Sequence, residues 1–341
     1  MRTDRPRLAF IHNVENTFIE IDRNALSEAF ELIDVYLKKD SPLSLSVIRA
    51  VVSSDIGFGW FASWHTFPFA LFFALLRREF VLVIGGYDLA KMPEIGYGHQ
   101  RGGLRKWVSR ATMHLASALM TNSKFSRGEA KFNAGLNPDR IRIIYHGIPD
   151  RFGALPEKPS EMIILTVGNV DQTNLFRKGH EPFVRAARLL PDMQFRLVGA
   201  WLDDAIEYLK SIAPSNVRFL GRLSDEELDL NFREASVYVQ ASAHEGFGMS
   251  LAEGMLAGCI PIVSRAGALP EVVGDCGAYV DFPVKTENLA FAISRVVGNS
   301  VLTCKARQRV KEQFTLESRE KGLNALMLRT FSSVASLGQT I

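Results

Sequence analysis

Short runs of apolar residues alternate with helix-length segments of mixed character along the first 150 residues. Helical stretches are predicted between the runs, for instance over 22–31 and 123–134. The apolar runs themselves predict strands at 8–12, 32–36, 56–61, 80–85, 118–122 and 141–145. Strands separated by helix-length segments favour a parallel, doubly wound α/β sheet over residues 1–150.

A second alternation of the same kind follows a proline-containing segment at 151–160, which we interpret as a linker. Its apolar runs predict strands at 162–168, 195–199, 217–220, 237–240, 260–264 and 278–281. The two domains predicted are therefore 1–150 and 161–315. Residues 316–341 predict a C-terminal helix with an apolar stripe, which docks on the body or crosses back to the N-terminal domain. Two such sheets imply a ligand at the carboxyl ends of the strands, in a crevice between facing domains.

One uncharged stretch, residues 56–76, is long enough to be considered as a membrane span. Gly57, Gly59 and Pro68 interrupt it, and a polar turn divides it into a short strand and a short helix. Strands of a parallel sheet are covered on both faces and are therefore apolar throughout. We expect a buried strand–turn–helix unit here.

Composition and charge narrow the class of protein. Apolar residues make up 47% and charged residues 23% of the chain, which is typical of a globular protein. A net charge of +3 gives no indication of a nucleic-acid partner. The three cysteines are scattered, and the N-terminus does not resemble a signal peptide, so a reducing, cytoplasmic location is expected.

The first 150 residues carry a small excess of basic residues, with 19 Lys and Arg against 15 Asp and Glu, whereas 151–341 contain 21 against 22. Arg101, Arg105, Lys106 and Arg110 surround Trp107 on a predicted helix. A solvated face is the simple interpretation, and peripheral contact with an anionic membrane is the alternative.

The stretch most informative about chemistry runs from His244 to Gly254 and follows a predicted strand. Gly246 and Gly248 leave backbone N–H groups open to a ligand at the start of a helix. A helix N-terminus favours anionic phosphate oxygens. Glu245 and Glu253 stand eight residues apart, and their carboxylates can accept hydrogen bonds from the hydroxyls of a sugar and a ribose.

This stretch resembles the E-x7-E signature of the family 4 glycosyltransferases, which are retaining enzymes of the GT-B fold. The resemblance is specific over about 161–282 and looser over 1–150. Further matches in the same order are Gly168-Asn169, Lys178-Gly179, Gly221-Arg222 and residues 267–274.

The resemblance implies a role for each matching residue. Glu245 would contact hydroxyls of the transferred sugar, and Glu253 would contact the ribose. Backbone amides of Gly246, Phe247 and Gly248 would hold sugar and phosphate oxygens. Lys178, expected at the start of a helix, would neutralise the diphosphate leaving group, because fixed cations stabilise charge that develops during departure.

Two positions depart from the family pattern. The family has an arginine where this chain has Asn169, and we expect Arg177 to supply the missing contact with the diphosphate. The family often has a histidine after the fourth strand, where this chain has Gly85-Gly86-Tyr87-Asp88. Asp88 is therefore our candidate for contact with the reacting sugar or the acceptor hydroxyl.

Other site types have weaker support in the sequence. The glycines around Phe247 lack the third glycine of a dinucleotide fingerprint. No Asp-x-Asp pair follows a strand in the way a metal-bridged donor site requires, so we expect no metal and no cofactor beyond the donor substrate. The histidines are dispersed, and His244 is notable because it adjoins the donor loop.

The sequence thus predicts a metal-independent, retaining hexosyltransferase that uses a nucleoside-diphosphate sugar. Its acceptor would be a glycan or a lipid-linked sugar. A sugar-nucleotide epimerase of similar two-domain fold, an NAD(P)-dependent oxidoreductase and a catalytically silent binding protein remain alternatives. The base, the sugar, the acceptor and the oligomeric state are left open by the sequence.

Overall fold

The computed structural model describes residues 5–38 and 45–337, which form two compact units. The N-terminal unit comprises the residues up to Gly147 together with those from Leu316 onward. The C-terminal unit is the continuous segment Ile148–Thr315. The segment 151–160 lies inside the C-terminal unit, where Phe152 is buried against Phe232.

The N-terminal unit is built on a six-stranded parallel sheet of order β2-β1-β3-β4-β5-β6. The chain therefore turns outward in opposite directions from β1 and β3, which makes their boundary the topological switch point. The strands are β1 Arg7–His12, β2 Glu31–Tyr36, β3 Ile56–Trp60, β4 Phe80–Val83, β5 Ala118–Thr121 and β6 Ile141–Ile143.

Helices cover both faces of this sheet, as its continuous apolar strands require. They are α1 Thr17–Ser27, α2 Leu45–Ser53, α3 Phe67–Leu75, α4 Gly103–Leu115 and α5 Lys124–Ala134. One core lies under α2 to α5 and includes Val47, Phe73 and Met113. The other core includes Ile19 and Leu26 of α1.

The C-terminal unit has a second six-stranded parallel sheet, of order β12-β11-β10-β7-β8-β9. Here the switch point lies between β7 and β10. The strands are β7 Ile163–Val167, β8 Gln194–Val198, β9 Val217–Gly221, β10 Val237–Gln240, β11 Ile260–Ser264 and β12 Ala278–Val280. The helices are α6 Gln172–Arg177, α7 His180–Ala186, α8 Ala205–Ile212, α9 Asp225–Glu234, α10 Met249–Leu256, α11 Leu269–Val273, α12 Thr286–Val296 and α13 Ser300–Gln313.

The last helix, α14 Leu316–Leu337, belongs to the N-terminal unit. Leu323, Leu326 and Met327 fill the core beside α1. Arg319 forms a fully buried ion pair with Asp22 of α1 at 2.7 Å and also donates to the carbonyl oxygen of Ile144.

The uncharged stretch 56–76 forms a strand, a turn and a helix, as expected, because β3 ends at Trp60 and α3 begins at Phe67. The bounds predicted for the first helix, 22–31, are wrong, since α1 spans Thr17–Ser27 and β2 already begins at Glu31. The cause is Asp22, a charged residue that faces the core because Arg319 neutralises it there.

Candidate active site

The predicted donor residues gather at the carboxyl ends of β7 and β10, the switch point of the C-terminal sheet. In open α/β sheets, ligands bind at this position because the loops after the two strands diverge and leave a crevice. Asn169 follows β7, and Glu245 lies in the loop between β10 and α10.

The loop before α10 is held by close backbone packing. Gly248 caps the helix with a left-handed conformation at φ +104°, which favours glycine. The Phe247 side chain is buried against Phe314, so this residue can offer a ligand only its backbone. On the other side, the Ala268 amide donates to the Glu245 carbonyl oxygen at 2.9 Å.

Lys178 reaches this loop through a tight turn between α6 and α7. Gly179 adopts φ +68°, and a Cβ atom there would overlap the Ala241 carbonyl oxygen. The Ala243 amide donates to the Arg177 carbonyl oxygen at 2.7 Å, which fixes the turn onto the β10 loop. The expectation that Lys178 begins a helix is wrong: it caps the C-terminus of α6, where helix carbonyls favour a cation, and α7 begins at His180.

Glu245 is the anion that Lys178 faces. The Lys178 ammonium lies 2.5 Å from Glu245 Oε1, and the Ser242 hydroxyl donates to the same oxygen at 3.0 Å. Burial opposes ionisation of this carboxyl, yet Lys178 and Arg177, with a hydrogen bond from Gln240, lower its pKa to about 2. The site therefore holds a fixed carboxylate that is only 13% exposed, with two cations beside it.

Ser242 and Gln240 were not singled out in the sequence, although a signal was present. Both alternate with buried apolar residues, Val239 and Ala241, at the end of β10. Because side chains of a strand alternate between its faces, Gln240 and Ser242 share one side. Their position immediately before Glu245 could have marked them as its partners.

Arg177 is the last residue of α6 and lies close to the pair, as expected from its neighbour. Its Nε and Nη2 atoms donate to Asn174 Oδ1 at 3.0 and 2.7 Å. Its Nη1 atom lies 3.9 Å from Glu245 Oε1. Two nitrogens of the fork are thus used to orient the group, and the third points toward the carboxylate.

Asn169 is exposed at the end of β7 and has a structural task. Its Oδ1 atom accepts a hydrogen bond from the Ala200 amide at 3.1 Å, which joins the loops after β7 and β8. Its carbonyl oxygen accepts hydrogen bonds from Asn174 Nδ2 and from His180 Nε2. The side chain thereby shapes the rim of the crevice.

Glu253 lies inside α10 and is buried, unlike a solvated acidic residue on a helix surface. Burial raises its pKa, while Arg151, 3.4 Å away, acts in the opposite direction. Arg151 also pairs with Asp229 of α9 at 2.9 Å. Arg151 stands 102 positions before Glu253, so no local pattern could have indicated this partner.

Asp88, the candidate in the N-terminal unit, is fully buried behind β3 and β4. Its two carboxyl oxygens accept hydrogen bonds from the backbone amides of Ala62 at 2.9 Å and Gly85 at 3.0 Å. Burial raises its pKa to about 7 against the effect of these amides. Its partners here are the loops after two neighbouring strands, and contact with a sugar stays a prediction.

The basic residues 101–110 lie on α4 and just before it, with Trp107 74% and Leu104 65% exposed. Arg110 does not belong to the exposed basic face, which corrects the sequence interpretation. Its guanidinium donates to Gln100 Oε1 and to the Asn133 carbonyl oxygen, so it holds α4 against its neighbours. None of the helices among the described residues is long and apolar enough to span a membrane.

Comparison with known proteins agrees with this geometry. Residues 149–315 match the family model described as glycosyl transferases group 1. O-antigen chain mannosyltransferase B of Escherichia coli is 28% identical over 188 residues, which are 49% of this chain and 48% of that protein. The MMP alpha-(1->4)-mannosyltransferase of Mycolicibacterium hassiacum is 26% identical over 233 residues, covering 63% and 56%. The chain thus aligns with about half the length of these curated relatives.

Solved structures share the fold over nearly the whole chain. Sucrose-phosphate synthase from Thermosynechococcus elongatus has a TM-score of 0.76 at 18% identity, covering 96% of this chain and all of that one. HepE of Anabaena, in complex with UDP and glucose, has a TM-score of 0.74 at 18% identity with the same coverage. The expected fold class, two Rossmann-like α/β domains of the GT-B type, is confirmed. Residues 149–315, which hold the Lys178–Glu245 pair, are thus similar to the glycosyl transferases group 1.

Proposed function

We propose that this protein is a retaining glycosyltransferase that moves a hexose from a nucleoside-diphosphate sugar to a glycan or lipid-linked acceptor. The observation that carries the proposal is the Lys178–Glu245 pair, which lies at the switch point beside the N-terminus of α10. The E-x7-E resemblance supports the retaining, family 4 assignment. Two relatives are named as mannosyltransferases, and one structural neighbour, HepE, is solved in complex with UDP and glucose and in complex with UDP-glucose.

The chemistry of the leaving group explains the arrangement. Departure of a nucleoside diphosphate develops negative charge, and preorganised cations and helix dipoles stabilise that charge without reorganising. Lys178 and Arg177 supply the cations, and the N-terminus of α10 at Gly248 supplies the dipole. Glu245, ionised because of Lys178, accepts hydrogen bonds from sugar hydroxyls, and Glu253 accepts from the ribose.

A panel of nucleotide sugars tests this function. The purified protein should slowly hydrolyse one donor and release its free nucleoside diphosphate, and Lys178→Ala should abolish the release. Conversion of the sugar with the nucleotide still attached would identify an epimerase. Reduction of NAD(P) would identify an oxidoreductase, and tight binding without turnover would identify a silent binding protein.

We also propose that transfer needs no divalent ion, because side-chain cations and a helix N-terminus occupy the place where a metal would neutralise the diphosphate. The donor-hydrolysis assay repeated with excess chelator should give an unchanged rate. Loss of activity that magnesium or manganese restores would contradict this part of the proposal.

Arg177 is proposed to perform the task of the arginine that the family has at Asn169. A guanidinium can bind two phosphate oxygens in a fork, whereas the ammonium of Lys178 is a point charge. Because hydrogen bonds to charged groups are worth about 1.5–3 kcal/mol, Arg177→Ala should lower kcat/KM about 10- to 150-fold. Asn169→Arg in that variant should restore part of the loss. Parent-like activity of Arg177→Ala would assign the phosphate to Asn169 or to backbone amides.

The protein is proposed to act in the cytoplasm, with the exposed face of α4 resting on an anionic membrane. Arg105, Lys106 and the exposed Trp107 supply charge and an amphipathic ring. Flotation with anionic liposomes should weaken in Arg105→Ala/Lys106→Ala and stay unchanged in the control Arg295→Ala/Lys305→Ala, which neutralises two exposed cations of the C-terminal unit. Equal flotation of the two double variants, or no flotation of the parent, would contradict the proposed contact of α4 with a membrane.

A further inference from the structure

An exposed tryptophan stands at the carboxyl edge of the C-terminal sheet, outside the contacts described so far. Trp201 follows β8 and is 44% exposed, and the adjacent Leu202 is 60% exposed. Indole is among the largest side chains a protein can bury, and exposing it at a ligand-binding edge forgoes that stabilisation. A ligand that covers the ring would recover it.

The backbone under Trp201 is fixed by the crevice wall. Val170 pairs with Trp201 in a parallel bridge that continues β7 and β8 past their ends. The Val170 amide donates to the Ala200 carbonyl oxygen and the Leu202 amide to the Val170 carbonyl oxygen, both at 2.9 Å. With the Asn169–Ala200 hydrogen bond, these contacts make the indole a preorganised group on a rigid edge.

Part of the ring is already in contact, which defines how much remains for a ligand. The Lys210 ammonium of α8 lies 4.5 Å from the ring centroid, over one face. The ring edge at Cζ2 lies beside Gly221, at 4.0 Å from where a Cβ atom would stand. A cation over one face holds the indole in position, and 44% of the surface of Trp201 still remains exposed.

The place of Trp201 along the edge matches the length of the donor. β7 is the neighbour of β10 on one side and of β8 on the other. Because neighbouring strands are about 4.8 Å apart, two spacings separate β10, which precedes Glu245, from β8, which precedes Trp201, roughly 10 Å. A nucleoside diphosphate whose phosphates lie at Lys178 can reach the indole with its base.

We propose that Trp201 is the stacking platform for the nucleobase of the donor. This inference rests on the proposed function and adds the residue that reads the base end of the substrate. A π-face accepts any base, so Trp201 contributes affinity, and selection among bases falls to groups at the base edge. From the usual strength of base–aromatic stacking, removal of the ring should raise the Kd about 5- to 150-fold.

Calorimetry with UDP, GDP and inorganic pyrophosphate tests the platform on the full chain. Trp201→Ala should weaken binding of the nucleoside diphosphate that the parent binds, and leave the affinity for pyrophosphate unchanged. Trp201→Phe should lie between parent and alanine variant, because it keeps a smaller ring. Phe291→Ala, which removes an aromatic ring that is 68% exposed on α12, is the matched control and should bind as the parent does.

Fluorescence gives a second readout that does not depend on the alanine variant. Trp201 is the one tryptophan in the sequence from 148 to 315. Saturating nucleoside diphosphate should therefore quench the emission of the parent, and Trp201→Phe should lose that quenching while pyrophosphate causes none.

Three results would overturn the platform. Parent-like affinity of Trp201→Ala for the nucleoside diphosphate would show that the ring is not covered. An equal loss for pyrophosphate would show that the variant has damaged the phosphate site instead. Failure of the parent to bind UDP, GDP or any other nucleoside diphosphate would refute the proposed function along with the platform, whereas the first two results leave the proposed function standing.

Discussion

Glu245 owes its charge to its neighbours more than to pH. With a pKa of about 2, caused by Lys178 and Arg177 against the effect of burial, it is ionised throughout the range in which proteins work. Its ion pair also occupies the Lys178 ammonium, so the diphosphate of the proposed donor would compete with Glu245 for the same cation. The two groups are therefore coupled, and their variants should behave differently from those of Glu253.

Glu245→Gln should lower turnover of the donor at least about 10-fold, because it removes a charged acceptor of sugar hydroxyl groups. Its affinity for the free nucleoside diphosphate should stay equal or increase, since Lys178 loses its competing partner. Glu253→Gln should instead weaken nucleotide binding, as expected of a ribose contact. Calorimetry combined with turnover measurements tests the two roles, and equal losses of affinity in both variants would refute their assignment.

Asp88 predicts a pH dependence of stability of its own. An acid whose pKa is raised to about 7 by burial binds a proton in the folded state at pH values where the unfolded chain has released it. The free energy of unfolding contributed by Asp88 is therefore highest below about pH 4 and falls as pH rises to about 7. Asparagine does not titrate, so the free energy of unfolding of Asp88→Asn should not contain this decrease with pH.

The measurement is the free energy of unfolding of parent and Asp88→Asn at pH 5 and pH 8. The variant should be less stable at both, because one of the two backbone amides loses its acceptor oxygen, but the difference should be larger at pH 5. A difference that is constant or grows with pH would mean that the folded protein holds Asp88 as a carboxylate.

At the scale of elements, the short turn between α6 and α7 positions the cation of the site. Position 179 favours glycine, because a Cβ atom there would overlap the Ala241 carbonyl oxygen and φ is +68°. Gly298, between α12 and α13, has a similar φ of +80° but open space around it. The two glycines separate backbone strain from displacement of the turn.

Gly298→Ala should cost about 1–2 kcal/mol of stability for its left-handed conformation and leave activity unchanged. Gly179→Ala should cost more and should also lose donor turnover, because the turn must move away from the β10 loop and take Lys178 with it. Thermal unfolding and donor hydrolysis test both variants. Parent-like turnover of Gly179→Ala would mean that Lys178 reaches its place without this turn.

Elements themselves were largely predictable from the sequence. Apolar runs gave all twelve strands to within two residues, because buried parallel strands are continuous in hydrophobicity. The capping box of α9, formed by Ser224 and Glu227, is another local feature, since it depends on residues only three apart. The predictions that were wrong concern residues whose partners are distant in sequence. Asp22 is buried because it pairs with Arg319, and Arg110 is held in place because it donates to the Asn133 carbonyl oxygen.

The candidate site divides in the same way. Glu245, Lys178 and the glycine loop carry a local signature, and the structure brings the lysine and the carboxylate into contact. The pairing of Arg151 with Glu253 could not be predicted, because the fold alone makes those residues neighbours. The platform at Trp201 depends on the strand order, which places the β8 loop one strand from β7.

At the scale of the whole molecule, the Asp22–Arg319 pair joins α14 to α1, two helices that are far apart in sequence. Removing one partner of a buried pair leaves an uncompensated charge, which costs about 3–5 kcal/mol. Asp22→Asn should therefore lower the free energy of unfolding by that amount, and Asp22→Asn/Arg319→Met should recover part of the loss. Glu317→Gln, which breaks an exposed pair with Lys321 on the same helix, is the control and should have no measurable effect.

Denaturant unfolding of these variants is the measurement. If Asp22→Asn is as stable as the control variant, the hydrogen bonds that the guanidinium already donates to the carbonyl oxygens of Ile144 and Tyr145 are sufficient for it. Recovery in the double variant would show that the charge left behind, and not the lost contact, is responsible for the instability.

The discontinuous N-terminal unit has a consequence for synthesis on the ribosome. Domains generally fold in the order in which they emerge, yet here the residues made first cannot close their own core. One face of their sheet is completed by Leu323, Leu326 and Met327, which are translated only after the whole of Ile148–Thr315. The continuous segment Ile148–Thr315 can fold in the meantime. The N-terminal unit is thus completed only after the C-terminal unit has been synthesised, and a chain that stops before α14 would leave the part of that face beside α1 exposed to chaperones and proteases.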